Sequence, residues 1–319
     1  MNLKKLWPWR RRPDLAVINS LDFEVAAPTP RTGIAIGVIV RDEGRYLREW
    51  LRFHEYLGVD HFILYDDGST DATVQIAQTA CKRAAVTVFP WSQRLRSKPE
   101  KVAINNQIVA YGHCLSNYRN RFRWMAFLDV DEFLLPLSAS TIPAVLDTLS
   151  TCPLIALPWA MFGTSDHLQR PVLPTTQAYT RRLDPSVPEG VHGLANVKCI
   201  FDPQAVTRLH VHRMRVNGTE TAHNDRGVAF HLTPRSGPAQ LTCDAFQLNH
   251  YYSRSQEDVE AKIQRGRVGD TNYGQRDRAL LTKRVAFIDT NSIDDHKVKT
   301  VIARRNAETG ESFYGDLQG

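Results

Sequence analysis

The stretch MAFLDVDEFLLP, Met125 to Pro136, sets three acids, Asp129, Asp131 and Glu132, at the end of an apolar run of strand length. A solvated turn would explain acids at that point, and so would a site for a cation. Side chains alternate along an extended chain, so Asp129 and Asp131 of this Asp-x-Asp fall on one side of it. Two carboxylates so placed can hold a hard divalent ion that also takes oxygens from a diphosphate. The residues before and after the stretch decide between the two readings.

Upstream, GIAIGVIV (33–40) is a β-branched run that reads as a buried strand. YLREWLRFHEYLG (46–58) follows with Leu47, Trp50, Leu51 and His54 at helical spacing and Gly58 as its stop. HFILYDD (61–67) is a second strand, GSTD its turn and cap signal, and 71–84 a second helix. AAVTVFPW (84–91) makes a third strand. Beyond the basic loop SQRLRSKPEK (92–101), a helix is expected over 102–118, and RWMAFLDVDEFL (123–134) is a fourth strand carrying the acids. Strands alternating with helices imply an α/β fold with a parallel sheet covered on both faces. Ligands gather at the carboxyl ends of such strands. Asp42 with Glu43, Asp66 with Asp67, and Asp129 with Asp131 all lie there, so the solvated-turn reading has to hold three times over.

The second half is less regular. LIALPWAMFG (154–163), NVKCIFDP (196–203), VTRLHVHRM (206–214) and DAFQLNHYY (244–252) read as strands joined by long polar segments, and SQEDVEAKIQRG (255–266) as a helix with a Ser cap. The organisation expected is a basic N-terminal tail over 1–32, one domain over 33–290, and a C-terminal helix and tail over 291–319.

At 319 residues the chain can bury a sizeable core, and its formal net charge of +6 suits an anionic ligand or a membrane surface. No nucleic-acid reader motif is present. The five cysteines form no CxxC pair, which fits a reducing compartment, and no apolar run has the length of a membrane span. The N-terminus MNLKKLWPWRRRP reads either as a peripheral contact with an anionic membrane or as a disordered basic tail. A cytoplasmic protein, attached at most at the inner face of a membrane, is expected.

VIVRDEGRYLREWLRFHEYLGVDHFILYDDGSTD, NNQIVAYGHC, RWMAFLDVDEFL, LPWAMFGTS, VKCIFDP and LNHYYSRSQEDVEAKIQRG occur in this order between about residues 33 and 266. The set resembles the motif series of glycosyltransferase family 92 and its bacterial relatives within the GT-A superfamily. The resemblance implies one GT-A domain, a Rossmann-like mixed sheet flanked by helices on both faces. It also implies an enzyme that uses Mn2+ or Mg2+ and transfers a sugar, with inversion, from a nucleotide-sugar donor to a glycan or glycolipid acceptor. UDP-sugars, galactose prominent among them, are the donors of relatives it is similar to.

Carried over by position, the resemblance places Arg41, Asp42 and Glu43 beside the nucleotide and Asp66 and Asp67 near its base and ribose. Asp129 and Asp131 become the DxD, Asp131 the more direct metal contact, and His250 a late histidine ligand. A strand histidine is otherwise a core or surface residue. His210 and His212, on one face of an expected strand, are alternative ligands. Lys101, with Arg94, Arg96 and Lys98, either clamps the diphosphate or lies in a solvated loop. Trp159, Phe162 and Gly163 match a W-x-x-F-G segment whose aromatic either stacks on an acceptor sugar or packs in the core, and Asp166 stands where the family pattern would have glycine. Inverting transfer needs a base for the acceptor hydroxyl, and Glu220 and Asp225 fall where such enzymes often carry one. The rival readings are a silent nucleotide- or glycan-binding module and a haloacid-dehalogenase-like phosphohydrolase. The second is disfavoured by Phe133, which stands where that motif wants Thr or Val.

Overall fold

A computed structural model describes residues 17–98, 102–187, 196–233, 240–265 and 275–317. Its centre is a ten-stranded mixed sheet. In chain order its strands are β1 (Thr32–Val40), β2 (His61–Asp66), β3 (Ala85–Pro90), β4 (Phe122–Phe127), β5 (Glu132–Pro136), β6 (Leu154–Met161), β7 (Val197–Phe201), β8 (Thr221–His223), β9 (Ala229–His231) and β10 (Phe246–His250). The main path runs β9-β8-β6-β7-β4-β1-β2-β3, and β10 joins β5 to β6. The half expected to be parallel is so: β1 runs beside β2 with Val38 opposite Leu64, β2 beside β3, and β1 beside β4 with Ile36 opposite Ala126. The sheet becomes mixed at β7, antiparallel to both β4 and β6.

Both faces are covered, and β1 shows why its sequence is a continuous apolar run. Ile34, Ile36, Val38 and Val40 enter one core layer with Leu47, Trp50, Leu51 and Phe53 of α1 (Gly44–Tyr56). Ala35 enters the other with Ile108, Tyr111 and Leu115 of α3 (Asn106–Tyr118). Gly37 belongs to that second face: a Cβ there would lie 2.7 Å from the Phe127 ring.

Three boundaries differ from the sequence expectation. The helix expected over 71–84 is the short α2 (Thr73–Thr79), because the Glu55 carboxylate accepts the backbone N–H groups of Lys82, Arg83 and Ala84 and draws the chain off the helical path. α3 starts at Asn106, not Val102, with the Asn105 side chain accepting from Gln107 N at 2.9 Å. The expected fourth strand is two, β4 and β5. After Phe127 the Asp129 carbonyl accepts from Glu132 N at 2.9 Å, closing a turn, and β5 then pairs antiparallel with β10. The acids therefore sit on a turn between two ladders instead of along one strand.

The ends of the described chain belong to the same body. Ser20–Asp22, expected in a tail, pairs with Val206–His210, and Arg31 binds Asp202 at 2.8 Å. In the C-terminal segment Val298, Val301, Ile302 and Phe313 join the first core layer. Among the described residues no helix is long and apolar enough to cross a membrane. The membrane-contact reading falls on residues 1–16, outside the described residues.

His54 ties α1 to β5. Its Nδ1 lies 2.9 Å from the Trp50 carbonyl and its Nε2 accepts from Leu134 N at 3.1 Å, an arrangement only the neutral Nδ1–H tautomer satisfies. Burial accordingly pushes its pKa down to about 3. A histidine depressed on folding contributes stability that is present above its unfolded pKa, about 6.5, and is lost as pH falls toward the folded value. Urea unfolding from pH 7 to pH 4 is expected to show this loss, with a shallower pH slope in His54→Gln. Identical slopes would remove His54 from the account.

Candidate active site at the strand ends

The carboxyl ends of β1, β2 and β4 open on one side of the sheet, and the loops that follow them are stitched together. Asp42, at φ +52°, donates its N–H to Ser69 Oγ (3.0 Å) while its Oδ1 accepts from Thr70 N (2.8 Å). Glu43 N donates to Thr73 Oγ1 at 2.8 Å. Asp66 accepts from Ser69 N at 3.1 Å. Asp67 is 2% exposed and bound in bidentate fashion by Arg94 (2.7 and 2.9 Å) and by Asn106 Nδ2 (2.9 Å). Arg94, expected either on a diphosphate or in a solvated loop, is thus the partner of Asp67. Lys101 lies outside the described residues.

The three acids of the opening stretch have three different settings. Asp129 accepts from Lys198 Nζ at 2.9 Å and Gln107 Nε2 at 3.3 Å. Glu132 is fully buried, its Oε2 accepting from Asp129 N (2.8 Å) and lying 3.3 Å from Lys198 Nζ, its Oε1 without a partner. Burial, offset in part by Lys198 and reinforced by Asp129 and Asp131, pushes the Glu132 carboxyl up to about 8. Burial alone would also discharge Lys198, but Asp129 and Glu132 hold its ammonium well above the usual lysine range. Asp131 lies 3.5 Å from His250 Nε2 and 3.3 Å from Lys262 Nζ on α4 (Gln256–Arg265). Burial would raise its pKa; His250, Lys262 and Arg254 override that and hold it well below the usual carboxylate range.

The turn carrying these acids is clamped. Tyr251 N donates to the Asp131 carbonyl at 2.8 Å. Arg254, 8% exposed and at φ +52°, donates to the Val130 carbonyl (3.2 Å), reaches Glu43 (3.5 Å) and stacks 3.6 Å from the Tyr46 ring centre.

β10 brings His250 to the turn by pairing it with Glu132 on one side and Met161 on the other. Trp159 packs 4.4 Å from the His250 ring and 5.5 Å from that of His212. Trp159 Nε1, His212 Nδ1 and His250 Nδ1 are all buried without a partner. Burial and Lys198 push His212 down to about 4 against the pull of Asp129, which keeps its imidazole neutral. The expected strand 206–214 is a hairpin of Val206–His210 and Met214–Val216. His210 ends the first strand opposite Ser20 and His212 lies in the turn, so the shared face expected for them does not form.

Glu220 and Asp225 are not brought to the acids. Glu220 precedes β8 and accepts from Arg215 at 2.9 Å. β8 pairs through His223 with Ile155, six residues and about 20 Å down β6 from Met161. Asp225, 2% exposed, accepts the backbone N–H groups of Asp244 (2.6 Å), Ala245 (2.7 Å) and Phe246 (3.0 Å). It caps the start of β10, four residues and roughly 13 Å from His250. NGTETAHNDRG reads as an acid-bearing loop, and nothing in it announces that Asp225 serves the backbone.

In the W-x-x-F-G segment, Gly163 is required by a close approach: a Cβ would lie 2.1 Å from Asp289 Oδ1, which accepts from Thr164 N at 2.7 Å. Asp166 has φ +62°, the region where glycine rests without strain. Not singled out from sequence were Lys198, Arg254 and Lys262. The signal for Lys198 was present, a lone lysine inside the buried run VKCIF; Arg254 and Lys262 look like ordinary helix-flank charges.

Among the described residues no group of three or more His, Cys, Asp or Glu side chains makes a ready metal cage. The donors at the turn nevertheless suit a hard or borderline divalent ion: the Asp131 carboxylate and an imidazole nitrogen of His250 face each other, with room for other oxygens to come from a ligand.

The profile of the family described as Glycosyltransferase family 92 matches residues 39–285. A glycosyltransferase family 92 protein of Oryza sativa is 26% identical over 258 residues, 77% of this chain and 39% of the relative. A galactan beta-1,4-galactosyltransferase of Arabidopsis thaliana is 31% identical over 106 residues, 32% of this chain and 20% of the relative. The chain thus spans about two fifths of the length of the family 92 relative. Glucosyl-3-phosphoglycerate synthase from Mycobacterium tuberculosis, solved with Mn2+, UDP and glucosyl-3-phosphoglycerate, overlaps 40% of this chain and 44% of its own at 18% identity and a TM-score of 0.26. With the profile covering most of its length, the chain belongs to glycosyltransferase family 92.

Proposed function

We propose that the protein is a metal-dependent, inverting glycosyltransferase that moves a hexose, galactose foremost, from a UDP-sugar to a glycan or glycolipid acceptor. The observation that carries this reading is the Asp131–His250 pair, held on a clamped turn at the carboxyl ends of parallel strands. Family membership supports transfer, and the partial relative named as a galactan beta-1,4-galactosyltransferase supports galactose and a β-linked product. A β product from an α-linked sugar nucleotide requires inversion.

Asp131 and His250 would hold Mn2+ or Mg2+. The ion supplies charge stabilisation for the departing diphosphate. Asp129, fixed by Lys198 and Gln107, faces the nucleotide as a preset acceptor. Asp42 and Glu43 tie the β1 loop to the β2 loop, Asp66 closes the turn of the β2 loop, and Asp67, locked by Arg94 and Asn106, braces the wall behind them. Trp159, half-buried against the His250 and His212 rings, offers an apolar face to a sugar.

Calorimetric titration of UDP and GDP, with and without Mn2+, and UDP release from UDP-galactose test the reading. Metal-dependent UDP binding with transfer is expected. Binding without transfer to any glycan would favour a nucleotide-binding module, and absence of metal-dependent binding would remove the proposal.

A further inference from the structure

The two carboxylates of the Asp-x-Asp carry lysines of different kinds. Lys198 has a side chain only 1% exposed and is shared between Asp129 and Glu132, so it cannot leave without stranding both acids. Lys262 has a side chain 35% exposed, is anchored through the flank of α4, and touches Asp131 at 3.3 Å. Its other contacts among the described residues are the Tyr252 carbonyl at 3.1 Å and the Tyr252 ring, whose centre lies 4.8 Å away. Neither is a charge. The third cation near Asp131, Arg254, is wedged between the Val130 carbonyl, Glu43 and Tyr46 and has no comparable freedom.

On the reading of Asp131 as a metal carboxylate, an ammonium and a divalent ion would compete for the same oxygen. At this spacing their mutual repulsion is strong in a partly buried site. The lysine stem is flexible and its head a point charge, so a small rotation moves the ammonium several Å. A diphosphate bound beside Asp131 brings anionic oxygens into that range. Of the basic residues of the β3–α3 loop expected to clamp the diphosphate, Arg94 is committed to Asp67 and Lys101 lies outside the described residues.

We propose that Lys262 is a placeholder cation: it neutralises Asp131 while no divalent ion is bound, gives up that carboxylate to the ion, and turns its ammonium onto the diphosphate of the nucleotide. The inference rests on the metal reading given above and adds to it a nucleotide-binding residue on α4. It also accounts for the pairing of a metal carboxylate with a lysine, which would otherwise only weaken metal binding.

Calorimetry on the full chain separates the two halves of this role. Mn2+ alone, and then UDP at saturating Mn2+, are titrated into the wild type, Lys262→Met and Lys262→Arg. Lys262→Met removes the competitor, so Mn2+ alone should bind about threefold or more tighter, a modest ion-pair effect. The same variant should bind UDP roughly ten- to a hundredfold more weakly, the loss of one charged hydrogen bond. Lys262→Arg should recover most of the UDP affinity. A parallel fall in Mn2+ and UDP affinity in Lys262→Met would mark a merely structural residue and overturn the proposal, as would no change in either. Absence of Mn2+-dependent UDP binding in the wild type would overturn the metal reading itself, and the placeholder with it.

Discussion

Asp131→Ala is expected to lose sugar transfer by about a thousandfold or more, together with Mn2+-dependent UDP binding, while remaining folded. The carboxylate is held ionised by the His250 ring, Lys262 and Arg254, and its oxygen beside His250 is where a divalent ion finds one carboxylate and one imidazole together. The backbone of the turn does not depend on that side chain. Glu132 N still donates to the Asp129 carbonyl and Tyr251 N to the Asp131 carbonyl, both through the main chain. Asp131→Asn separates charge from shape: it keeps a hydrogen-bonding group toward His250 and Lys262 and should be nearly as inactive. Steady-state rates with a Mn2+ titration, alongside thermal melts, measure both. Near wild-type turnover in Asp131→Ala would sink the metal assignment. A large fall in melting temperature would mean that the charge cluster, and not the chemistry, had been removed.

How much of this was legible in the sequence follows from which forces are local. The parallel half was readable because β1 and β2 are buried on both faces and α1 shows one apolar stripe, patterns set by burial period alone. The break after Phe127 was not readable, since AFLDVDEFLL has apolar residues on both sides of its acids and no Gly or Pro to mark a turn. Only the ladder between β5 and β10, more than a hundred residues apart in the chain, turns it aside. The short α2 has the same kind of cause: a distant Glu55 carboxylate outcompetes continued helix for three N–H groups.

The site divides along the same line. Positions that depend on strand ends, Asp42, Asp66, Asp129 and Asp131, could be placed from pattern, and the structure gathers them at one edge of the sheet. Residues whose role depends on what crosses from elsewhere could not. Asp67 looks like a ligand acid and is a buried partner of Arg94. Asp225 looks like a loop base and holds the start of β10. Lys198 looks like a strand residue and is the internal counter-ion of the acids.

That counter-ion carries the second large expectation. Lys198→Met should destabilise the protein by about 3 kcal/mol, the cost of leaving buried carboxylates without their cation, which is a fall of roughly 5–10 °C in melting temperature. Two acids depend on one ammonium: Asp129 at 2.9 Å and Glu132 at 3.3 Å, the latter fully buried with one oxygen unpartnered. Glu132 already meets this crowding by holding its proton up to about pH 8. An acid whose pKa is raised on folding contributes stability that is complete below its unfolded value, near 4.5, and is lost as pH rises through the folded one. Wild-type stability in chelator should therefore decline as pH rises from about 4.5 to about 8 and level off above that, and Glu132→Gln should flatten the decline. Above about pH 8, where the Glu132 carboxyl gives up its proton, the same substitution should partly rescue Lys198→Met, because a neutral amide then removes a second stranded charge beside Asp129. If the double variant is no more stable than Lys198→Met alone, the triad of Lys198, Asp129 and Glu132 is not the unit that holds the turn. Recovery of stability without recovery of UDP affinity would show that Lys198 aims Asp129 at the nucleotide as well as neutralising it.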